Sequence, residues 1–371
     1  MSGLAISQNW FRRFLKVARR VIGSSEKNFR LLYFIKTSQK PRLGVMDGCL
    51  KFETPLMEFS GGIRRSFAIP MDPLIFLLNG GDDEIIFELE NGSISIRHRN
   101  EILKMKILEK QFPKIPSKPK IWLDENLKIS ELVKSFDGSS AVCDEDSEIH
   151  FLTRFDSSFV VGNNGNHIVF SQMKLSGFTG YPSFLYRLPY VSVRHLVKTL
   201  KFIKVKRIKF GLGEDGLQFE LGNSSMSICG ETEDEWRKRE FENFMDEKVF
   251  TDGKFLFSVD REVFRYALGK MGRFLRSRNR MMVCEYSRGN LRMFSEEDNT
   301  RYSITLKVKD GEMTDREILF TASPKKLLSL MERFQSKELG FFSMGEYVKM
   351  RRSKGDIQIF LRRLRRAKPW W

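Results

Sequence analysis

The chain has 371 residues, 41% of them hydrophobic and 12% aromatic, with 64 Lys and Arg against 47 Asp and Glu for a net charge of +17. That length allows two or three domains with substantial cores and excludes low-complexity disorder, while the charge asks for a polyanionic partner. Nucleic acid comes first, an anionic membrane surface second. Four cysteines (Cys49, Cys143, Cys229, Cys284) stand far apart without a C-x-x-C pair, which reads as buried thiols in a reducing cytosol, with neither a disulfide framework nor a zinc site. The N-terminal residues lack a continuous apolar signal core, and no run approaches the ~20 apolar residues that span a bilayer. A cytoplasmic protein that does not enter the membrane is expected.

In chain order, NWFRRFLKVARRVIG (about 9 to 23) reads as the first long helix, with Phe11, Phe14, Leu15 and Ala18 on one face. AIPMDPLIFLL, from Ala68, reads as a strand end running into a short helix, followed by alternating strands such as Ile94 and Ile96 between Ser93, Ser95 and Arg97. DENLKISELVKSFDG (about 124 to 138) reads as a second long helix capped by Asp124. Val193, Leu196, Val197 and Leu200 share a face of a short helix after Leu188. DREVFRYALGKMGRFLRSR (about 260 to 278) reads as a third long helix capped by Asp260, and Leu327, Leu328 and Met331 mark the last short one. Turns are placed at Asn91-Gly92, Asp215-Gly216 and Lys354-Gly355.

The short-helix segments begin at Ala68, Leu188 and Leu319, about 120 to 130 residues apart. That spacing suits duplicated domains better than a solenoid repeat. Each third is expected to be an α+β unit, two helices on a mostly antiparallel sheet. Boundaries near Lys120–Trp122 and Glu247–Lys254 divide the chain into 1–120, 121–249 and 250–371, the last ending in a short basic aromatic tail.

Positive charge gathers on the helices. Arg12, Lys16 and Arg19 lie at i, i+4, i+7 opposite the first apolar stripe, with Arg13 and Arg20 beside them and no acid in the helix. Arg194, Lys198 and Lys201 repeat that spacing. Arg261, Arg265, Arg273, Arg276, Arg278 and Arg280 lie on or after the third long helix, and Lys325, Lys326 and Arg333 on the last short one. A helix with one apolar and one cationic face can lie along phosphates and read charge rather than sequence. The DNA-contacting set is expected to be Arg12, Arg13, Lys16, Arg19, Arg20, Arg194, Lys198, Lys201, Arg265, Arg273, Arg276 and Lys325. The helix near Leu127 mixes Lys128 and Lys134 with Glu125, Glu131 and Asp137, and the one near Leu74 has no basic residue.

These features resemble the beta subunit of bacterial DNA polymerase III, the sliding-clamp family, over nearly the whole chain. DGCLKFETPLMEF resembles its first-domain strand pair, AIPMDPLIFLL its V-P-A helix segment and QFPKIP its F-P-x-(L/I)-P stretch. VVGNNGNHIVFSQM is similar to its V-x-T-D-G-H-R-L-A segment, LFTASPKKLLSLMERF to its last helix, and IQIFLRRL to its terminal M-P-M-R-L strand. No single motif is specific; their order across three repeats carries the resemblance. It implies a head-to-tail homodimer ring around double-stranded DNA, domain one meeting domain three of the partner. Helices would line the hole and sheets the outside, tethering a DNA polymerase. A clamp loader using ATP would open the ring, and the clamp itself would do no chemistry and hold no cofactor.

The resemblance also implies a hydrophobic partner-peptide groove built from Phe151 or Leu152, Gly165, Asn166, His167, Ile168, Met245, Phe250, Ile359, Phe360 and Leu361. The family's D-G-H-R is Asn164-Gly165-Asn166-His167 here, and the terminal M-P-M is missing. Such divergence suits a phage or other fast-evolving replication system. Trp370 and Trp371, on a basic tether, are candidates to dock on a partner or in the groove.

Two other readings remain. A monomeric, non-ring processivity factor could hold DNA electrostatically. A nuclease could place Mg²⁺ in the acidic runs Asp144–Glu148 or Glu231–Glu235, but no repeated, convergent carboxylates support it. G-L-G-E-D-G at 211–216 precedes a strand and not a helix, so it reads as a turn. His98, His150, His167 and His195 show no metal-ligand spacing, and no hydrolase, P-loop or zincin motif occurs.

Overall fold

The computed structural model describes residues 2–23, 30–74, 83–90, 92–115, 119–154, 157–176, 183–276, 280–297, 300–312, 317–334, 336–351 and 357–364. Asn91, Lys354-Gly355, Arg278 and the Trp370-Trp371 tail lie outside the described residues, as does the segment expected to continue the helix past Leu74.

The protein is α+β, with antiparallel sheets throughout the described pairings. One element order recurs three times: a strand, a long helix, several strands, a short helical segment, three strands. The long helices are α1 (Gln8–Ile22), α2 (Ile129–Ser140) and, numbered after the intervening helices, α5 (Arg261–Phe274). The short ones are α3 (Tyr190–Phe202) and α6 (Pro324–Met331), with only a 3-10 turn at Asp72–Leu74 in the first repeat. A further helix, α4 (Glu235–Phe244), continues into a π-helical turn at Met245–Val249.

Packing divides the chain into two compact units, Met1–Val133 with Val191–Glu231, and Lys134–Tyr190 with Thr232–Trp371. In the first unit, one sheet runs Phe59–Gly61, Ser2–Ser7, Glu84–Glu90, Ser93–His98, Glu101–Lys106. The other runs Ile121–Lys128, Arg207–Leu212, Gly216–Leu221, Ser224–Cys229, Leu50–Pro55, Arg42–Met46, Leu31–Ile35, Phe67–Pro70. The second sheet therefore joins strands from the first third of the sequence to strands from the middle third, through the pairing of Leu50–Glu53 with Ser225–Ile228.

In the second unit, a long sheet runs Phe184–Leu188, Glu148–Arg154, Ser157–Asn163, His167–Lys174, Ile357–Arg362, Tyr347–Arg351, Glu338–Met344, Lys254–Asp260, Asp310–Gly311. A smaller sheet runs Thr300–Lys307, Asn290–Glu297, Met282–Ser287, Ile318–Ala322. Strands of the middle and last thirds meet where His167–Ser171 pairs with Ile357–Leu361.

Two local expectations are corrected. Asp124 does not cap α2: the strand continues to Lys128, bulging against its neighbour, and the Asp124 carboxylate accepts the Asn126 N–H at 2.7 Å. An Asx turn in a bulge uses the same residue type as a helix cap. Cys49 and Cys229 form a disulfide, Cα–Cα 5.0 Å, across 180 residues, whereas Cys143 and Cys284 are buried free thiols as expected. The reading of 211–216 as a turn holds: it links two antiparallel strands, with the Gly213 N–H donating to the Gly216 carbonyl at 2.7 Å.

Candidate nucleic-acid and partner-binding surfaces

α1 packs through Phe11, Phe14, Leu15, Ala18, Val21 and Ile22, all buried. Its opposite face exposes Arg12, Arg13, Lys16 and Arg19, while Arg20 lies with its guanidinium 3.6 Å over the Phe202 ring of α3. α3 buries Val193, Leu196, Val197 and Leu200 and exposes Arg194, Lys198 and Lys201. Neither helix contains an acid, and among the described residues Arg12, Arg13, Lys16, Arg19 and Lys198 have no carboxylate partner.

A buried polar hub fixes these two helices beside each other. The Asp47 carboxylate accepts from the backbone N–H groups of Cys49 (2.9 Å) and Leu50 (2.6 Å), from the Ser192 hydroxyl (3.1 Å) and from His195 Nδ1 (2.7 Å). The far edge of His195 abuts the end of α1, where Gly23 adopts φ +54; a Cβ there would overlap His195 Nε2. Only glycine fits both that angle and that approach. His195 therefore serves the fold, bonded to Asp47 and packed against the end of α1.

In the second unit, Asp260 caps α5, accepting from the N–H groups of Glu262 (2.9 Å) and Val263 (3.0 Å). Arg265, Arg273 and Arg276 are exposed; Arg265 pairs with Glu262 at 2.8 Å, and Arg273 has no carboxylate partner among the described residues. Lys325 of α6 is half-buried and its ammonium donates to the Arg276 carbonyl. Two cations of α6 and the turn after it face inward. Lys326 is 4% exposed and pairs with Asp144 at 2.7 Å, and Arg333 pairs with Asp137 at 2.9 Å. These two hold α6 in place and do not belong to an outward cationic face.

Three carboxylates of the acidic runs also serve the fold. Besides Asp144, Glu148 binds Arg237 at 3.0 Å, and Glu233 meets His150 Nε2 at 3.2 Å and Arg187 at 3.6 Å. Burial pulls the His150 pKa down, against the upward pull of Glu148 and Glu233. No group of residues among those described could hold a metal ion, and no helix is long and apolar enough to cross a membrane.

The expected partner groove divides between the two faces of the long sheet, because successive strand residues point to opposite sides. Leu152, Ile168, Met245 and Phe360 meet in one cluster with Phe159, Phe170, Phe241 and Val249. Phe151 stacks on Phe136 of α2, its ring centre 6.4 Å away, on the other face. By alternation Ile359 and Leu361 share that helix-side face with Ile357, whose side chain meets Gly138 of α2.

His167 is also there, fully buried. Its Nε2 accepts the Ser323 N–H at the start of α6 (3.0 Å), and its Nδ1 lies 3.3 Å from the Asn164 side-chain oxygen. Burial, and then the nearby Lys326 charge, push its pKa down to about 3. Gly165 and Asn166 are exposed at the loop tip, where Gly165 has φ +81.

Sequence reasoning missed α4, although Phe241, Phe244, Met245 and Val249 carry helical spacing. It covers the outer face of the long sheet: Phe244 sits 5.5 Å from Phe170, 5.1 Å from Phe360 and 5.6 Å from Tyr347. Lys349, fully buried, fastens the end of this segment. Its ammonium donates to the carbonyls of Lys248 (3.0 Å), Val249 (3.0 Å) and Thr251 (2.7 Å). Burial, reinforced by Arg351, lowers its pKa to about 8. Beyond the covered face lies a cavity of about 450 Å³ bounded by Phe159, Leu175, Phe250, Gln172, Arg154 and Lys174. Phe250 is 55% exposed there, with the Arg154 guanidinium 5.7 Å from its ring centre and bonded to Asp246 at 2.8 Å.

No family model and no curated protein matches the sequence. Solved structures do. The DNA polymerase III beta subunit of Pseudomonas aeruginosa superposes with a TM-score of 0.80 at 13% identity, covering 98% of this chain and 100% of the other. A putative DNA polymerase III beta subunit from Eubacterium rectale gives 0.79 at 11% identity over the same shares. The chain has the sliding-clamp fold. A Helicobacter pylori beta clamp bound to a DNA ligase peptide is a further match, with a TM-score of 0.73 at 14% identity over 98% of this chain and 100% of that one. At 11–14% identity the fold is shared while most residues differ, so the residues that work must be read from this chain's own geometry.

Proposed function

We propose that this protein is a DNA sliding clamp, a processivity factor that tethers a DNA polymerase and other partners to duplex DNA and performs no chemistry. The carrying observation is the sliding-clamp fold over the full length combined with one-sign cationic faces on α1 and α3. The threefold element order supports three clamp domains at 1–120, 121–249 and 250–371. Two sheet edges unpaired among the described residues support a head-to-tail homodimer: Glu101–Lys106, where Ile102 is 60% exposed, and Thr300–Lys307. Unpaired edges of this kind template strand addition. Sheets closed across such a joint would complete a ring around DNA in the cytoplasm, opened by a clamp loader.

Partner peptides in this reading take the Phe250 cavity, since α4 occupies the sheet face beside it. Lys174 at its rim suits an apolar segment carrying an acidic residue, while Arg154 is already held by Asp246. The +17 charge favours one alternative, a monomer that holds DNA electrostatically. Light scattering separates the two. A mass of about 87 kDa, twice the 43.5 kDa chain, with retention on nicked circular DNA that is lost on linearisation, is the expected result. A monomeric mass with steeply salt-dependent binding to linear DNA supports the alternative, and no DNA retention of either kind sinks the proposal.

A further inference from the structure

α5 contains two glycines of different character. A Cβ on Gly272 would lie 3.3 Å from Lys325 Cγ, so that position accommodates the close packing of α6. A Cβ on Gly269 would meet nothing within 4 Å. Glycine inside a helix costs about 1 kcal/mol relative to alanine, and no neighbour at Gly269 requires it.

What Gly269 produces is a notch. A cavity of about 330 Å³ opens over it, walled by Glu262, Arg265, Tyr266, Lys270 and Arg273 of α5 and by Leu328 of α6; the Glu262 carboxylate is taken up by Arg261 and Arg265. Tyr266 is 66% exposed, with the Lys270 ammonium 5.4 Å from its ring centre. Lys270 and Arg273 have no carboxylate partner among the described residues. The notch is thus a bare patch of helix backbone beside an exposed aromatic face, with cations on both flanks. Duplex DNA offers phosphates to such a surface but keeps its base faces stacked. An unpaired strand offers both, and base–aromatic stacking with flanking cations is how sequence-tolerant single-strand sites work.

Resting on the clamp reading, we infer that the α5 notch is a binding site for unpaired nucleic acid. One base stacks on Tyr266 over Gly269, and the adjoining phosphates lie against Lys270 and Arg273. A clamp with this site would hold the single-stranded template next to a primer end as well as the duplex behind it.

The test compares the full chain with Tyr266→Ala, Tyr266→Phe and Gly269→Leu by fluorescence anisotropy on labelled oligo-dT and on a duplex of equal length. Removing one stacked base should weaken oligo-dT binding by about 5- to 150-fold. Duplex affinity should stay within about twofold. Tyr266→Phe should retain oligo-dT binding, and Gly269→Leu, which fills the notch, should lose it. Tyr266→Ala and Tyr266→Phe should melt like the parent, and Gly269→Leu should melt no lower, because replacing a glycine inside a helix favours the helical state. An unchanged oligo-dT affinity in Tyr266→Ala overturns the site and leaves the clamp reading standing, as does an equal loss on both DNAs. Selective loss on oligo-dT, in a protein that circular DNA does not retain, keeps the site and overturns the clamp.

Discussion

Acid should destabilise the second unit through His167, and the size of the effect follows from that residue's position. The ring is fully buried and Nε2 must accept the Ser323 N–H at 3.0 Å. A proton on Nε2 turns that acceptor into a donor facing a donor. Burial and Lys326 hold the folded pKa at about 3, whereas an unfolded histidine titrates near ~6.5. The folded value is the lower one, so the unfolded chain binds more protons between these limits. Stability from this group is therefore present above pH ~6.5 and lost as pH falls toward 3. From pH 7 to pH 5 the loss is about 2 kcal/mol, because each pH step of one below the unfolded pKa costs ~1.4 kcal/mol. A His167→Gln variant keeps an acceptor that does not titrate in this range. Urea midpoints at both pH values should show the wild type losing about 2 kcal/mol more than the variant; other titrating groups cancel in the difference. Equal losses in the two proteins would refute the buried-acceptor assignment.

Three further outcomes follow. Replacing Arg12, Lys16 and Arg19 together by Gln should reduce the slope of log affinity for duplex DNA against log salt by about 2.7, near 0.9 for each lost phosphate contact, without moving the melting temperature; an unchanged slope removes α1 from the DNA face. Lys326→Met should do the opposite, costing on the order of 1–3 kcal/mol of stability by stranding Asp144 and leaving the salt slope intact. Thiol titration of the denatured, unreduced protein should find two thiols, Cys143 and Cys284, of the four cysteines. Reduction should then lower stability by up to about 5 kcal/mol, the chain-entropy value for a loop of 180 residues; four thiols before reduction would overturn the Cys49–Cys229 bond.

The sequence displayed what short-range pattern determines. α1, α3, α5 and α6 were legible because each repeats an apolar residue every three or four positions, and the cap at Asp260 sits immediately before such a run. The residues expected to line a partner groove share a neighbourhood but not a face. His167–Leu361 and Ile168–Phe360 are adjacent rungs of one strand pair, yet they face opposite sides of the sheet, and a one-residue uncertainty in register exchanges the buried set for the outer one. The disulfide and the Lys326–Asp144 pair were invisible for a different reason. Cys49 reaches Cys229 only because Leu50–Glu53 pairs with Ser225–Ile228, and Lys326 reaches Asp144 across 182 positions. Contacts that depend on the completed sheet leave no local trace.

Positive charge in this chain consequently divides by acceptor rather than by amount. Lys349 points its ammonium at three carbonyls, Lys326 and Arg333 at carboxylates, and each fixes an element of the fold. Arg12, Arg13, Lys16, Arg19 and Lys198 lie on acid-free helices with no carboxylate partner among the described residues, so within that set counterions are left to neutralise them. A phosphate that replaces those counterions gains their release, while a phosphate near Lys349 would gain nothing and could not reach it. Net charge of +17 therefore argues for a polyanion only through the outward subset. That subset is ordered by features with no charge of their own to offer DNA: the apolar stripe of α1, the glycine that ends it, and the Asp47–His195 hub that sets α3 beside it.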